Sequence, residues 1–385
     1  MQESYYKRKV CYCCEKPYSK PHHFYQEMCE ECGEFNFKKR CQRIDLKGYR
    51  ALVTGGRIKI GFETARLLLE MGADVTVTSR FPQNTYKRYA DLKNFKDFKN
   101  RLHIIGVDFR HLPSVSKLIE EVKKQPLDIL INNAAQTVRK PAPFYKHLLN
   151  EEQKPLLIEN ILENTPHPET STALASAISF LPSLNLNISS AEMSQAVLLP
   201  EDLQDDESIF PKNCYDKDGQ QIDLRPHNSW MYELEEISLI ELYEVLQINL
   251  ITPFLLNTKL LPALAEHDKA SYIINVSAME GNFFAPRKHS RHPHTNMAKA
   301  ALNMMTRTSA AHYKDYNILM NSVDTGWITN EKPNPENLNE LNRKTLMAID
   351  ETDGAMRVLD PIIRAIQNNE KDYGKLFKNY KEYPW

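Results

Sequence analysis

The stretch ALVTGGRIKIG, residues 51–61, decides the fold of this 385-residue chain. Residues 50–53 have the pattern of a short buried strand, and residues 62–71 place apolar side chains at helical spacing. Between them, Gly55 and Gly56 allow a tight turn, and Gly61 allows the backbone to approach a ligand at the helix N-terminus. Unpaired N–H groups there attract a pyrophosphate. The stretch therefore predicts the dinucleotide-binding turn of an α/β protein.

Strands and helices continue to alternate after this turn. Further strands are predicted at residues 74–79, 102–108, 128–132, 271–277 and 318–323, with a last short strand near 375–377. Helices are predicted at residues 113–124, 237–265, 295–316 and 352–368. This alternation predicts a Rossmann-type doubly wound parallel sheet with helices on both faces.

The region from residue 141 to about residue 236 interrupts this alternation. It contains nine prolines and an acidic cluster at residues 201–207. A segment of this length without periodicity is typical of a surface insertion, and the alternatives are a lid over the substrate pocket or a docking surface. We therefore predict a metal-binding module at residues 1–44 and a Rossmann domain at residues 45–385 that carries this insertion.

Composition limits the partners and the compartment. Lys and Arg total 49 and Asp and Glu total 50, so the chain has no bulk attraction to nucleic acid or to an anionic membrane. No apolar run approaches the roughly 18 residues of a membrane-spanning helix, and the polar residues 1–9 lack the apolar core of a secretory signal. We expect a cytoplasmic protein with no nucleic-acid partner and no membrane span.

The N-terminal cysteines form two pairs. Cys11-x-x-Cys14 and Cys29-x-x-Cys32 each place two thiolates on one tight turn, and two such turns close a tetrahedral site suited to Zn²⁺. A redox pair would not need a second pair at this separation. Four protein thiolates leave no open position for substrate, so the predicted zinc is structural. The spare candidates are Cys13, Cys41, His22 and His23.

The module also carries basic residues, Lys38, Lys39, Arg40 and Arg43, which would suit phosphate. A solvated basic face is favoured instead, because the overall charge is near zero. A protein partner would bind through the metal-binding module or the insertion.

Further short motifs follow the glycine turn in a fixed order. They are Asp108, the run NNAA at residues 132–135, Asn249, Ser277 and Lys299. Together with Thr54–Gly61, they resemble the motif order of the short-chain dehydrogenase/reductases, over roughly residues 45–385 apart from the insertion. Two positions depart from that pattern. Lys59 stands where the family has the middle glycine of the turn, and Thr295 stands where the family has a tyrosine four residues before its lysine.

The second strand indicates which dinucleotide is bound. It ends in Val77–Arg80 and offers no acid for a free ribose 2′-hydroxyl, whereas Arg80 could hold a 2′-phosphate by a charge-assisted fork. This favours NADP(H), with NAD as the alternative. The resemblance implies a second 2′-phosphate contact from Arg57. Lys59 adds a cation beside the pyrophosphate, and we expect its side chain to point away from the cofactor. The remaining cofactor contacts that the resemblance implies are Thr54, Gly55, Gly56, Ile60, Gly61, Asp108, Asn133, Ala134, Lys299 and Thr329.

The resemblance also implies chemistry between a carbonyl and an alcohol. Ser277 would polarise the carbonyl, Lys299 would hold the ribose, and Asn249 would position a water of the proton relay. Thr295 cannot replace the missing tyrosine, because a phenol has a pKa of about 10 and an aliphatic hydroxyl lies several units higher.

Histidine titrates near neutrality, so His294 is the first choice for the replacement proton donor and His292 is the second. One alternative is that these histidines are ordinary members of a basic loop. Another is that this basic loop binds an anionic substrate or partner.

Two functional hypotheses follow. The first is an NADP(H)-dependent oxidoreductase acting on a small-molecule carbonyl or alcohol, with Ser277, Lys299, Asn249 and either His294 or Thr295 in its catalytic site. The second is a catalytically impaired cofactor-binding scaffold, or a sensor of nucleotide state, that works through its zinc module and insertion. The missing tyrosine favours the second hypothesis, and the retained serine, lysine and asparagine favour the first. The resemblance further suggests a homo-oligomer in which helices 237–265 and 295–316 pair across a dimer axis.

Overall fold

Nine strands form the central sheet of the molecule, in the order β11-β10-β9-β8-β6-β3-β4-β5-β7. The computed structural model describes residues 9–152, 161–163, 189–266, 268–285, 288–329, 331–333 and 347–385. All neighbouring strands of this sheet are parallel except β10 and β11, which form an antiparallel hairpin. The strands are β3 (Arg50–Val53), β4 (Asp74–Ser79), β5 (Leu102–Gly106), β6 (Ile129–Asn132), β7 (Ile161–Glu163), β8 (Ser271–Ser277), β9 (Ile318–Asp324), β10 (Leu376–Lys378) and β11 (Lys381–Tyr383).

Helices cover both faces of the sheet. They are α1 (Glu30–Cys41), α2 (Lys59–Glu70), α3 (Pro82–Ala90), α4 (Phe95–Phe98), α5 (Leu112–Val122), α6 (Ala142–Glu152), α7 (Leu239–Leu246), α8 (Thr252–Lys259), α9 (Leu261–Leu264), α10 (Pro293–Lys314) and α11 (Glu351–Asn368). Apolar residues of α2 and α11 fill one core layer. Those of α5, α8 and α10 contribute to the other. The central strands are buried on both faces, as the continuous apolar runs predicted.

The direction of strand addition reverses at β3. From β3 the sheet continues through β4 and β5 on one side, and through β6, β8 and β9 on the other. The loops that leave the carboxyl ends of β3 and β6 therefore diverge and open a crevice, which is where doubly wound proteins bind ligands. The predicted Rossmann-type fold is confirmed, and it places the glycine turn at this crevice.

The helix predicted over residues 237–265 is confirmed over Leu239–Lys259, but it contains a π turn and is followed by a short separate helix. The chain forms α7, then a single π-helical turn at Gln247–Ile251, and then α8 and α9. Such turns insert one extra residue and often occur at functional sites. The run Leu239–Lys259 is long and apolar enough to cross a membrane by length and composition alone, but 44% of its most apolar window is buried inside the protein. Core helices of soluble proteins pass the same test, so this run is weak evidence for a membrane span.

The described part of the insertion packs on the cofactor half of the Rossmann domain. Phe144 and Tyr145 of α6 form an apolar cluster with Phe81, Ala191 and Phe210. The acidic cluster is also partly internal, because buried Asp202 forms a two-bonded ion pair with Arg139 at 2.8–2.9 Å. These residues of the predicted surface insertion are therefore packed and partly buried. The serine- and alanine-rich stretch at 171–178 lies outside the described residues.

A smaller unit precedes the Rossmann domain. The hairpin of β1 (Lys9–Val10) and β2 (Pro17–Tyr18) and the helix α1 make up most of the metal module, which we define as residues 9–44. The module packs against α11 and against the turn that follows β9. It is therefore a docked part of the molecule.

Candidate cofactor and active site

The glycine turn is bound to the loop after β6 by one threonine. The Thr54 hydroxyl oxygen accepts hydrogen bonds from the backbone N–H groups of Asn133 and Ala134, each at 2.9 Å. The Asn133 side chain donates to the carbonyl oxygen of Thr54 at 3.0 Å. These three predicted cofactor residues thus form one rigid wall of the crevice.

The three glycines of the turn are required for different reasons. Gly55 has a φ of +69°, the left-handed region that a side chain disfavours. A Cβ on Gly56 would lie 2.6 Å from the Val77 side chain, so this glycine lets the turn approach β4. A Cβ on Gly61 would lie 2.1 Å from the Gly55 carbonyl oxygen and 2.4 Å from Asn133 Nδ2. The physical reason predicted for Gly61 was wrong, because its space is taken by the protein's own backbone rather than by a ligand.

Two arginines lie together at the end of β4. The guanidinium groups of Arg57 and Arg80 stand 5.5 and 5.7 Å from the centre of the Phe81 ring. Arg57 is buried and contacts only neutral side chains, Asn84 Oδ1 at 3.1 Å and Gln220 Oε1 at 3.4 Å. Burial, together with the positive charges of Arg80 and Arg88, lowers the pKa of Arg57 to about 10. Within the described part of the chain, no carboxylate forms an ion pair with Arg57 or with Arg80.

The insertion supplies the outer wall of this arginine pair. Arg80 donates to the Tyr145 hydroxyl at 2.8 Å and its guanidinium lies 4.4 Å from the Tyr145 ring centre. Arg88 of α3 forms an ion pair with Asp218 at 3.0 Å. Residues 141–236 were predicted to hold a lid over the substrate pocket as one alternative. The described residues of the insertion contact the end of the crevice where Arg57 and Arg80 lie, and Trp230 also stacks on His292 at the start of α10, so the lid stays a prediction.

Lys59 points toward the loop that follows β9. Its φ is +53°, which explains why a glycine is favoured at this position. Its ammonium group lies 3.6 Å from the Glu331 carboxylate in that loop. The orientation of Lys59 relative to a bound cofactor stays a prediction. The positive charge of Lys59 is the main cause that lowers the pKa of Glu331, and the Thr329 hydroxyl also donates to that carboxylate at 2.9 Å.

Asp108 is already engaged by a neighbouring side chain. Both of its carboxylate oxygens accept hydrogen bonds from Arg110, the shortest at 2.7 Å. Burial opposes the charged form of Asp108, but the contacts with Arg110 outweigh it and lower the pKa of the carboxyl group. The adenine contact that the resemblance implies stays a prediction.

Ser277 and Lys299 meet at the carboxyl end of β8. Lys299 on α10 donates from Nζ to the carbonyl oxygen of Val276 at 2.7 Å. Burial lowers the pKa of Lys299 to about 8. The neighbouring Ser277 hydroxyl is buried and makes no hydrogen bond within the described residues. The fold therefore brings the predicted serine and lysine together, with a hydroxyl group that has a free donor.

The π turn explains the position of Asn249. The Asn249 side chain accepts a hydrogen bond from the Gln136 backbone N–H at 2.7 Å and donates to the Gln136 carbonyl oxygen at 2.9 Å. This reciprocal pair attaches the turn at Gln247–Ile251 to the loop after β6. Both hydrogen-bonding groups of the side chain are used, and the water-positioning role stays a prediction.

The predicted proton donors lie at the start of α10. The Thr295 hydroxyl donates to the carbonyl oxygen of Thr137 at 3.3 Å. His294 is buried, and its Nε2 lies 3.7 Å from a carboxylate oxygen of Glu241. His292, the second choice, stacks on Trp230 with ring centres 3.9 Å apart, and its Nδ1 lies 2.9 Å from the Trp230 carbonyl oxygen.

Sequence reasoning missed Glu241. This buried carboxylate on α7 accepts hydrogen bonds from the Arg139 backbone N–H and from the Ser229 hydroxyl. Burial alone would raise the pKa of Glu241, but the nearby His294 and these two donors lower it. No local signal marks Glu241, because the groups that surround it come from four separate parts of the chain.

The four predicted metal ligands converge. The Sγ atoms of Cys11, Cys14, Cys29 and Cys32 all lie within 4.8 Å of one another, and we call them the four-cysteine cluster. The Cys14 and Cys29 sulfur atoms are 3.9 Å apart. Four thiolates at about 2.3 Å from a central ion would have this kind of spacing. In the described residues, Cys13, Cys41, His22 and His23 do not join the cluster.

A doubly wound sheet with this glycine turn defines a Rossmann-type protein. Family models for short chain dehydrogenase and for Enoyl-(Acyl carrier protein) reductase match residues 49–154 and 223–349. The chain belongs to the short-chain dehydrogenase/reductase family of oxidoreductases.

The chain is similar to curated proteins over almost its whole length in one case and over a short segment in another. An uncharacterized protein of Acanthamoeba polyphaga mimivirus is 30% identical over 97% of this chain and 74% of its own length. A probable oxidoreductase of Streptomyces lividans is 36% identical, but the match spans 24% of this chain and 30% of that protein.

Solved structures share the fold at low sequence identity. The RhlG/NADP active-site complex of Pseudomonas aeruginosa has a TM-score of 0.52 and 17% identity, covering 86% of this chain and 95% of the other. A short chain dehydrogenase of Burkholderia cenocepacia in complex with NADP has a TM-score of 0.51 and 16% identity, covering 86% and 96% of the two chains.

Proposed function

We propose that the protein is an NADP(H)-dependent oxidoreductase that interconverts a small-molecule carbonyl and its alcohol. The observation that carries the choice of cofactor is the buried guanidinium of Arg57 beside Arg80, with no ion-paired carboxylate at either one in the described residues. A buried charge without a counterion is costly. The 2′-phosphate of NADP(H) would neutralise both cations, whereas the free hydroxyl of NAD would leave them unbalanced.

The remaining walls of the crevice fit a dinucleotide. Gly55 keeps the turn free of side chains, and the N-terminus of α2 offers backbone N–H groups to a pyrophosphate. Two solved structures that share this fold are complexes with NADP, as their descriptions state. These observations support the cofactor, and Gln220 would then face the same phosphate as Arg57.

The chain's own residues prepare the substrate for reduction. NADPH supplies a hydride when it is bound. The Ser277 hydroxyl has no acceptor among the described residues and would donate its hydrogen bond to the substrate carbonyl oxygen, which increases the positive charge on the carbonyl carbon. Lys299 donates one N–H group to the Val276 carbonyl oxygen. Its other N–H groups would donate to the ribose hydroxyls.

The alkoxide that forms needs a proton, and we assign this role to His294. Its Nε2 lies 3.7 Å from a carboxylate oxygen of Glu241, whose pKa is lowered, so this acceptor fixes the orientation of the ring. Its Nδ1 is buried without a hydrogen-bond partner in the described part of the chain, so a proton at Nδ1 is available for transfer. Thr295 is committed to Thr137 and has no proton to give near neutral pH.

Turnover tests this function directly. We expect purified protein to oxidise NADPH in the presence of at least one aldehyde or ketone of a broad panel. The Ser277→Ala variant should lose that activity and retain cofactor binding. If Ser277→Ala leaves turnover intact, the proton relay that we describe is not in use.

We also propose that the four-cysteine cluster holds one structural Zn²⁺ per chain. The expected result of elemental analysis is about one zinc per chain, because four thiolates form a closed tetrahedral site. Cys29→Ser should release the metal and unfold the metal module, since metal binding and folding of so small a unit are coupled. Cys41→Ser is the matched control, because Cys41 is exposed and outside the cluster. Carefully purified protein without metal would contradict the proposal.

We further propose that the protein is a homo-oligomer located in the cytoplasm. The two helical runs that the resemblance would pair across a dimer axis expose large apolar side chains to solvent. These are Leu239, Tyr243 and Phe254 on the first run and Met297 and Met304 on α10. Such side chains support burial against a second copy of the chain.

A further inference from the structure

The metal module contacts a turn that forms one side of the cofactor crevice. We call residues 324–329 the β9 turn. The backbone N–H of Trp327 donates to the Tyr12 hydroxyl at 2.9 Å, across 315 residues of sequence. Tyr12 lies inside the knuckle Cys11–Cys14, between two members of the four-cysteine cluster. A single hydrogen bond therefore joins the metal-binding loop to the β9 turn.

A buried arginine reinforces this junction. Arg357 of α11 donates to the Thr325 carbonyl oxygen at 2.9 Å and to Asn36 Oδ1 in the metal module at 3.4 Å. Gly326 lies between these groups with a φ of +84°. A Cβ on Gly326 would stand 2.1 Å from Arg357 Nη1 and 2.7 Å from the Tyr12 hydroxyl. The backbone of the β9 turn is thus enclosed by the module and by α11.

An apolar cluster joins the same three parts. Cys11, Tyr25 and Met28 of the module pack with Ile328 of the β9 turn, and Ile60 of α2 packs against them. Ile60 is one of the residues to which the resemblance assigned a cofactor contact. The module therefore touches the β9 turn and the start of α2, which face each other across the crevice.

Ion pairs hold the module against α11. Arg40 binds the Asp350 carboxylate through two bonds of 2.6 and 2.9 Å. Lys39 contacts the buried Asp360 at 2.6 Å. Asp350 in turn accepts the Asp353 backbone N–H and caps the N-terminus of α11. These contacts hold the α1 side of the module against α11. Because the whole module is held in this way, a change in the conformation of the cysteine loop would move Tyr12 relative to the β9 turn.

We propose that the metal module positions the β9 turn for the nicotinamide half of the cofactor, with Tyr12 as the positioning residue. Metal bound at the four-cysteine cluster fixes the Cys11–Cys14 loop and, through Tyr12, the backbone of Trp327. Metal binding then strengthens the binding of NADPH but not the binding of its adenosine half. This inference rests on the proposed function, because it takes NADPH as the ligand of the crevice.

Binding of two ligands distinguishes positioning of the β9 turn from a general change in the stability of the protein. NADPH contacts both halves of the crevice, whereas adenosine 2′,5′-bisphosphate would contact only the half near Arg57 and Arg80. In Tyr12→Phe we expect the dissociation constant of NADPH to rise by about three- to tenfold, the effect of one lost hydrogen bond to a backbone N–H. The bisphosphate should bind as in the wild type, and the zinc content should stay unchanged.

Tyr18→Phe is the matched control. Its hydroxyl donates to the Gln26 carbonyl oxygen inside the module and, in the described residues, makes no hydrogen bond to the β9 turn. Removal of zinc by a chelator from the full chain should reproduce the selective loss of NADPH affinity. Equal weakening of both ligands, or no change in either, would overturn this inference and leave the proposed function intact. Failure of the wild-type protein to bind either ligand would overturn the proposed function, and this inference with it.

Discussion

Replacement of His294 by alanine is expected to lower turnover with NADPH by about a hundredfold or more, the usual contribution of a general acid. The resemblance predicts a tyrosine at the position of Thr295, and the neighbouring His294 is buried beside the Glu241 carboxylate, with a ring nitrogen that has no hydrogen-bond partner in the described residues. NADPH affinity should stay nearly unchanged, because the ring supplies a proton and does not hold the cofactor. The measurement is steady-state turnover alongside a cofactor titration.

His292→Ala is the control for this prediction. His292 is also in the loop before α10, but its Nδ1 is engaged with the Trp230 carbonyl oxygen. We expect turnover of this variant to fall far less than turnover of His294→Ala. A larger fall in turnover for His292→Ala than for His294→Ala would identify His292 as the proton donor. Equal and small effects would show that neither histidine donates the proton.

Replacement of Arg80 by aspartate should reverse the preference of the protein for NADPH over NADH. The change removes a charge-assisted contact to the 2′-phosphate and introduces an acid that can accept the free 2′-hydroxyl of NADH. A lost hydrogen bond to a charged group corresponds to about a ten- to hundredfold loss of NADPH affinity. Parallel fluorescence titrations of the two cofactors measure both effects.

Arg80→Gln provides the matched comparison. It removes the positive charge without adding an acid, so it should weaken NADPH and leave NADH affinity near the wild-type value. The Tyr145 hydroxyl that Arg80 contacts remains in both variants. If both substitutions leave NADPH affinity unchanged, Arg80 does not contact the phosphate.

The sheet could be predicted from the sequence because each buried strand is a short apolar run. The bounds predicted for β3, β4 and β8 agree with the structure to the residue. Their parallel order follows from the alternation with helices. The hairpin strand β11 was missed, because Lys381–Tyr383 is polar and largely exposed at the sheet edge and carries no apolar signal.

Side-chain placement could be predicted only where local chemistry determines it. The four-cysteine cluster follows from spacing alone, because each pair must share one turn. The contact of Lys59 with Glu331 and the close approach of Asn133 to Gly61 involve neighbours that are distant in sequence. The pairing of Asn249 with Gln136, which attaches the π turn at Gln247–Ile251 to the loop after β6, is likewise not revealed by any periodicity.

The sequence analysis did not predict that the metal module docks on α11 and the β9 turn. Its contacts with α11 join Arg40 to Asp350 and Lys39 to Asp360, more than 300 residues apart. The basic run at residues 38–40 was expected to be a solvated face, and two of its members are largely buried in ion pairs. One signal was present, because Tyr12 places a large aromatic ring inside a metal-binding knuckle.

Parallel titration of the wild-type protein with NADPH and NADH tests the central claim most directly. The account predicts that NADPH binds at least about tenfold more tightly, because a 2′-phosphate would neutralise Arg57 and Arg80 by charge-assisted contacts. Equal affinity for the two cofactors, or tighter binding of NADH, would contradict it.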